Sequence, residues 1–267
     1  MIEKKRFYKL IIIGKFALYI YTFLMKIISL KEGNFSTNKT KDFTLLTDEN
    51  FDEIKGIKMS VQPFLVITKN DYILLDAGIG WKNNAGELII LEKLKENNIN
   101  PEQITKVLLS HLHKDHVEGI LKFTNNGFES NFPNAEIYIQ KRELDFALQN
   151  TGNYSFDFDT LEKIIQLPNI NWMQENTGKI NNEISFEVTG GHTPFMQVFW
   201  INEAGENIFY GADNLPQESY LKYHLAFKSD YDGRKAMELR QLWQQQAEEY
   251  HWKVLLYHDL EKSILEF

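Results

Sequence analysis

The 267-residue chain contains no cysteine. That absence excludes disulfides, thiol nucleophiles, iron–sulfur clusters and every cysteine-containing zinc site. Any metal ion must therefore be held by His, Asp and Glu. Basic charge is also in deficit: 29 Lys and Arg stand against 37 Asp and Glu, a net charge of −8. Nucleic-acid binders usually carry a basic footprint, so no nucleic-acid partner is expected. A long clean apolar run is missing as well. The longest, Phe16–Met25, falls short of the ~20 residues that a membrane-spanning helix needs. What is present is ordinary globular usage, 43% apolar and 25% charged residues, in a chain long enough for one large domain or two small ones. Seven His stand at 111, 113, 116, 192, 224, 251 and 258, and three of them fall within one short stretch.

Residues 1–25 differ from the rest. Lys4, Lys5 and Arg6 precede an apolar stretch from Leu10 to Leu30 that Lys15 and Lys26 interrupt. A basic start before a short apolar run resembles a secretory signal, but no small-x-small cleavage site follows. Membrane anchoring is a second reading. The third is an upstream extension, with translation starting at Met25. On that reading residues 26–267 form the domain, Lys26-Ile-Ile-Ser is its first strand, and the protein is cytoplasmic. Export or membrane association would run only through residues 1–25.

From Met25 onward no low-complexity tract, long linker or solenoid-type repeat is visible. Phe64-Leu-Val-Ile-Thr and Tyr72-Ile-Leu-Leu-Asp are β-rich runs joined by the turn residues Lys69-Asn70-Asp71. Gly86–Asn97 reads as a helix with Leu88, Ile90, Leu91 and Leu94 on one side. Asn100-Pro101-Glu102-Gln103 is a helix start cut short by the strand Lys106-Val-Leu-Leu-Ser. Val117–Lys122 is expected to open another helix, Ala135–Gln140 to be a strand and Lys141–Gln149 a helix. Ile184, Phe186 and Val188 alternate with polar residues as in a half-buried strand. Gln197–Asn202 and Asn207–Tyr210 flank a hairpin turn. Arg234–Tyr250 is a long helix and Lys253–Tyr257 a last strand. Hairpin-rich groups of strands, with helices between and after them, predict an α+β layered domain of two mixed sheets.

The stretch Ser110-His111-Leu112-His113-Lys114-Asp115-His116 carries chemistry. It lies where a strand ends and a helix begins, so four potential ligands converge on a rigid base. Left unpaired and buried, each polar group would cost ~1–3 kcal/mol. Imidazole and carboxylate suit zinc and similar divalent ions. Three further positions share the grammar of one ligand-type residue just after an apolar strand. They are His192 in Gly190-Gly191-His192-Thr193-Pro194, Asp213 in Gly211-Ala212-Asp213, and His258 in Tyr257-His258-Asp259.

Together these residues resemble the metallo-β-lactamase superfamily, whose motif His-x-His-x-Asp-His is followed by separate His, Asp and His. The match falls on His111, His113, Asp115, His116, His192, Asp213 and His258, with Asp76 in Leu75-Asp76-Ala77-Gly78 at the family's early strand-end Asp. It covers about residues 26–260. The resemblance implies a four-layer αββα sandwich of two mixed sheets with helices on the outer faces and a dinuclear metal site at one edge. One metal would take His111, His113 and His192, the other Asp115, His116 and His258, and Asp213 would bridge them. Asp76 would orient ligands rather than bind metal.

The implied cofactors are two divalent ions, zinc by default, with manganese, iron or cobalt also compatible. The implied reaction is hydrolysis of a small molecule. A hydroxide bridging the two metals would attack an ester, lactone or thioester carbonyl, with Asp115 holding it and carrying its proton. A phosphodiesterase of the same superfamily and a non-catalytic, metal-stabilised binding module are the alternatives. The absence of Cys excludes the branch with a Cys-containing second site. His113 stands where the oxygen-reducing diiron branch typically has Glu. The pair His258-Asp259 is most like the lactonase-type group. Lactonases often carry a Tyr shortly after the bridging Asp, whereas Asp213 is followed by Asn214-Leu215-Pro216. Tyr220, Tyr223 and His224 are the candidate substitutes in a substrate loop, with Trp81 and the aromatics of 150–159 as further pocket candidates. His251 reads as an ordinary surface or cap residue.

Overall fold

The computed structural model describes residues 25–267 and, as backbone only, the strands Phe7–Ile13 and Phe16–Thr22. These two strands pair antiparallel, Phe7 opposite Thr22 and Ile13 opposite Phe16. The rest of residues 1–24, and with it the choice between extension, signal and anchor, lies outside the described residues. Among the described residues, no helix is long and apolar enough to cross a membrane.

Alternation along the strands builds the layers, because successive strand side chains face opposite ways. In Tyr72–Leu75, Ile73 and Leu75 point into one apolar cluster and Leu74 into another. In Glu206–Tyr210, Ile208 and Tyr210 join that first cluster, while Phe209 joins a third. The shared cluster is the interior between two six-stranded sheets. One runs 170–173, 136–140, 106–108, 72–75, 64–67 and 26–29 across its width; its first three junctions are parallel and the last two antiparallel. The other runs 177–179, 184–188, 197–203, 206–210, 252–255 and 264–266; only 206–210 with 252–255 is parallel. The helices Ile89–Glu96, Lys141–Gln149 and Phe158–Ile164 cover the outer face of the first sheet with Ile90, Leu94, Leu144, Ala147 and Leu161. The helix Gly233–Tyr250 covers the second with Trp243 and Ala247. The result is an αββα sandwich. A three-stranded sheet, 43–45, 33–37 and 57–61, adds a flap beside it.

Local reading and structure differ at Val117–Lys122. The helix there spans Lys114–Val117, tightens into a 3-10 turn at Glu118–Ile120, and gives way to a hairpin of Leu121–Thr124 with Gly127–Ser130. The cause is tertiary. Gly119 passes so close to the neighbouring loop that a Cβ on it would sit 1.9 Å from the Ala77 carbonyl oxygen. At Asn100-Pro101 only the 3-10 turn Pro101–Gln103 forms, with the Gln103 side chain accepting from the Asn100 N–H at 2.9 Å.

Candidate metal centre

Every candidate ligand lies just past the C-terminal end of a strand, and the two sheets bring these ends together. His111, His113, Asp115 and His116 come from the turn after 106–108 and the short helix that follows. His192 follows 184–188, Asp213 sits in a 3-10 turn after 206–210, and His258 follows 252–255. Three overlapping triads result: His111/His113/His192, His111/His116/Asp213 and Asp115/His116/His258, each with donor atoms within 4.8 Å of one another. Asp213 sits centrally. Its Oδ1 is 3.2 Å from His116 Nε2 and 3.1 Å from His258 Nε2, and its Oδ2 is 3.4 Å from His192 Nε2. The Asp115 Oδ2 lies 3.5 Å from His258 Nε2 and 3.8 Å from His116 Nε2.

In four of the five His, the other ring nitrogen is tied to the scaffold, while His113 Nδ1 faces His192 Nε2 at 3.1 Å. His116 Nδ1 faces Asp76 Oδ2 at 2.8 Å, His192 Nδ1 faces Asp230 at 2.8 Å, His258 Nδ1 faces the Ser60 carbonyl at 2.6 Å, and His111 Nδ1 faces Ser110 Oγ at 3.0 Å. Such contacts fix which nitrogen is left for a metal. Asp76, itself at φ +54, also accepts from the Ser110 N–H and hydroxyl, each at 2.7 Å, and from the Tyr210 hydroxyl. A non-glycine residue at positive φ beside a site is strain held by its surroundings. Tyr257 stacks on His116 with ring centroids 4.2 Å apart and donates to the Asp115 carbonyl at 2.7 Å.

Electrostatics separate the rings. Burial, with His116 and other His close by, pushes His111 well below its ordinary value, and burial with His192 does the same to His113. Burial opposes a charge on His116, but Asp213, Asp76 and Asp115 overcome it and hold the ring well above its ordinary value. Burial likewise opposes ionisation of Asp213, yet His258, His116 and His192 hold it well below the carboxylate range. The donor set fits a divalent cation. His111 Nε2 is buried without a hydrogen-bond partner, and His116 Nε2 and Asp213 Oδ1 face each other outside hydrogen-bonding geometry. Buried polar atoms are normally satisfied, and converging imidazole nitrogens and carboxylate oxygens are the donors that zinc-like ions take.

This arrangement coincides with a family match. The model of the metallo-β-lactamase superfamily matches residues 58–251. The chain belongs to that superfamily. Solved structures similar to it include the hydrolase AbOPH of the β-lactamase superfamily, at 25% identity, TM-score 0.69, covering 97% of this chain and 92% of that one. AidC, a dizinc quorum-quenching lactonase in complex with the product N-hexanoyl-L-homoserine, is 21% identical with TM-score 0.69, covering 98% and 94%. A probable metal-dependent hydrolase from Staphylococcus aureus is 18% identical with TM-score 0.70, covering 91% and 92%. No curated protein matches the chain.

Above the triads lies a cleft of about 100 Å³. Phe43, Ile57, Met59 and Pro216 form its apolar side, and His113, Asp115, His192, Asp213 and His258 its floor. Tyr220 lines it, stacked on Phe227 with centroids 4.4 Å apart and with the Arg240 guanidinium 5.2 Å from its ring. Burial and Asp213 push the Tyr220 hydroxyl up to about 12, so it stays protonated. The other candidates lie away from the floor. Tyr223 is exposed elsewhere, His224 ends the helix Glu218–Tyr223 in the left-handed region, and Trp81 packs edge-on against Phe35. His251 is the left-handed cap of the long helix. From the aromatic segment 150–159, Phe156 backs the His113 ring at 5.0 Å and only Ser155 reaches the cleft.

Sequence reasoning missed Asp230, Tyr210, Tyr257 and the Ser60 carbonyl. Asp230 had no motif to mark it. Its segment is bound to the His192 loop by Tyr231 N–H to the His192 carbonyl at 3.1 Å and Asp232 N–H to the Gly191 carbonyl at 2.8 Å.

Proposed function

We propose that the protein is a dinuclear metal-dependent hydrolase acting on the carbonyl of a small ester, lactone or thioester. The observation that supports this best is that three triads overlap through His111 and His116, with the Asp213 carboxylate facing His116, His192 and His258 between them. His111, His113 and His192 would hold one ion, Asp115, His116 and His258 the other, and Asp213 both; zinc is the first choice for a His and carboxylate set. Bound there, divalent cations supply a water of lowered pKa and a Lewis acid for the carbonyl oxygen.

The protein's own residues do the rest. Asp76, Asp230, Ser110 and the Ser60 carbonyl keep four imidazoles in one tautomer and orientation. The Asp115 carboxylate, facing the cleft, accepts the proton of the attacking water and returns it to the leaving oxygen or sulfur. The Tyr220 hydroxyl, protonated at working pH, donates toward the substrate. Phe43, Ile57 and Met59 exclude water from the acyl group.

Metal analysis of the purified protein, followed by a panel of lactones, thioesters, aryl esters and phosphodiesters with added zinc or manganese, tests the reading. Two equivalents of metal and turnover of a carbonyl compound are expected. Selective turnover of phosphodiesters would overturn the substrate class, and absence of metal binding would overturn the whole reading.

A further inference from the structure

The cleft over the triads contains two cations that, among the described residues, pair with no carboxylate. Lys41 and Lys114 both line it, half-buried, beside Phe43 and Ser155. Among the described residues, neither ammonium has a carboxylate within ion-pair distance, whereas Lys106 and Lys253 each have one at 2.8 Å. The carboxylates of the cleft are already engaged. Asp115 faces His258 at 3.5 Å, Asp213 faces three His, and Asp230 holds His192 at 2.8 Å. Asp42 and Glu118 feel the charge of Lys114 without pairing with it. The Asp42 carboxylate instead accepts from Asn38 Nδ2 at 3.0 Å and from the Thr40 hydroxyl.

The two lysines are also presented rather than loose. Lys41 stands at φ +57, a strained angle for its type, in a loop folded on itself. The Asn38 side-chain oxygen accepts from the Thr40 and Asp42 N–H groups at 2.9 and 3.0 Å, and the Lys41 N–H donates to the Asn38 carbonyl at 3.2 Å. Lys114 opens the short helix between His113 and Asp115, its N–H donating to the Ser155 carbonyl at 2.8 Å and its ammonium 5.9 Å from the Phe43 ring. Keeping unpaired ammonium groups half out of water has a desolvation cost. Their position in the lining of the cleft gives that cost a use.

We propose that Lys41 and Lys114 form an anion-recognition rim, so that the substrate is an acyl compound carrying a second, negatively charged group, a carboxylate by first choice. This rests on the hydrolase reading above and narrows its substrate. Such a substrate would place its scissile carbonyl over the triads, its short carbon chain against Phe43 and Met59, and its free carboxylate between the two ammonium groups. Hydrolysis would then release a diacid.

The test uses the full-length, metal-loaded protein and two matched aryl esters, the mono-aryl ester of glutarate and the aryl ester of pentanoate. They differ in one terminal carboxylate. Wild-type kcat/KM should favour the glutarate ester by about tenfold, the ratio that roughly 1.4 kcal/mol supplies. Added salt should erode that preference, since half-exposed charges are screened. In Lys41→Met the ratio should fall, in the double variant with Lys114→Met it should approach one, and Lys41→Arg should retain most of it.

Calorimetric binding of free glutarate against free pentanoate provides a readout without turnover. Each offers one carboxylate to the floor of the cleft, and glutarate has a second for the rim. Tighter glutarate binding that Lys41→Met abolishes is the expected result. Equal kcat/KM for the two esters, or a preference unchanged in Lys41→Met, would overturn the rim while leaving the hydrolase reading intact. Discrimination between the two acids without turnover of any ester would overturn the hydrolase reading instead.

Discussion

At the scale of single residues, the site separates groups that would touch a metal from groups that hold them. His113→Ala removes a proposed ligand and should lose one metal equivalent together with activity, read by elemental analysis and turnover. Asp115→Asn keeps an oxygen donor but not the base. It should retain at least one metal and lose about 10²–10⁴-fold in kcat, the range for a general acid–base group. Glu32 tests electrostatics away from the triads. Buried, it accepts from the Ile79 N–H at 2.7 Å and the Trp81 N–H at 3.1 Å, and burial pushes its carboxyl up to about 8.

Because that value lies above the ordinary 4.5, the native state keeps a proton that the unfolded chain has released. The associated stability is complete below the unfolded value and falls as pH rises through about 8. Denaturant titrations across this window should show that decline in the wild type and a flatter profile in Glu32→Gln. The variant should also carry a pH-independent loss of ~1–3 kcal/mol, because its amide can satisfy only one of the two N–H groups. The ligand-type residues were legible because they sit in short motifs at strand ends. Glu32 and Asp230 were not, because a lone acid in a turn acquires its role only when a distant segment folds against it.

At the scale of elements, the alternation of Ile73, Leu74 and Leu75, or of Ile208, Phe209 and Tyr210, is readable from sequence because strand period and burial agree. The stretch after His116 was not, since a helix-compatible pattern was overruled by the approach of Gly119 to Ala77. Gly119→Ala should therefore destabilise by more than its size suggests, about 1–3 kcal/mol for overpacking. It should also weaken metal retention, because the Ala77 N–H donates to the His116 carbonyl at 2.7 Å and a shift of one loop is passed to the other. Thermal melts and metal content, measured together, check this. Asp230→Ala removes the carboxylate that faces His192 Nδ1 and leaves the backbone ties of Tyr231 and Asp232 in place. Loss of a carboxylate that orients a ligating His typically costs about 10–100-fold in metal affinity, and competition with a chromophoric chelator would measure it.

At the scale of the whole molecule, the layer order was legible because strands and helices alternate in the groups that a two-sheet sandwich requires. The cleft was not, because the loop 38–42 and the segment 216–230 that wall it, the latter with only the short helix Glu218–Tyr223, carry no clear apolar periodicity. Each ion bound should add about 2.7 kcal/mol to the native state when the free metal exceeds that site's dissociation constant a hundredfold. For a chain of this size that shifts the melting temperature by about 5–10 °C per ion, a difference read by melting the loaded and chelator-treated protein side by side.

The convergence of strand ends from both sheets has a further consequence. Ions held by His111 and His258 would join segments far apart in the chain, closing long loops as a covalent cross-link does. A protein without cysteine would thus possess a tie that reducing agents leave untouched. It would be undone by chelators, and by acid, because a protonated imidazole nitrogen or carboxyl group cannot bind a metal. Its persistence in a cell would follow the supply of metal and the local acidity, and be indifferent to redox poise.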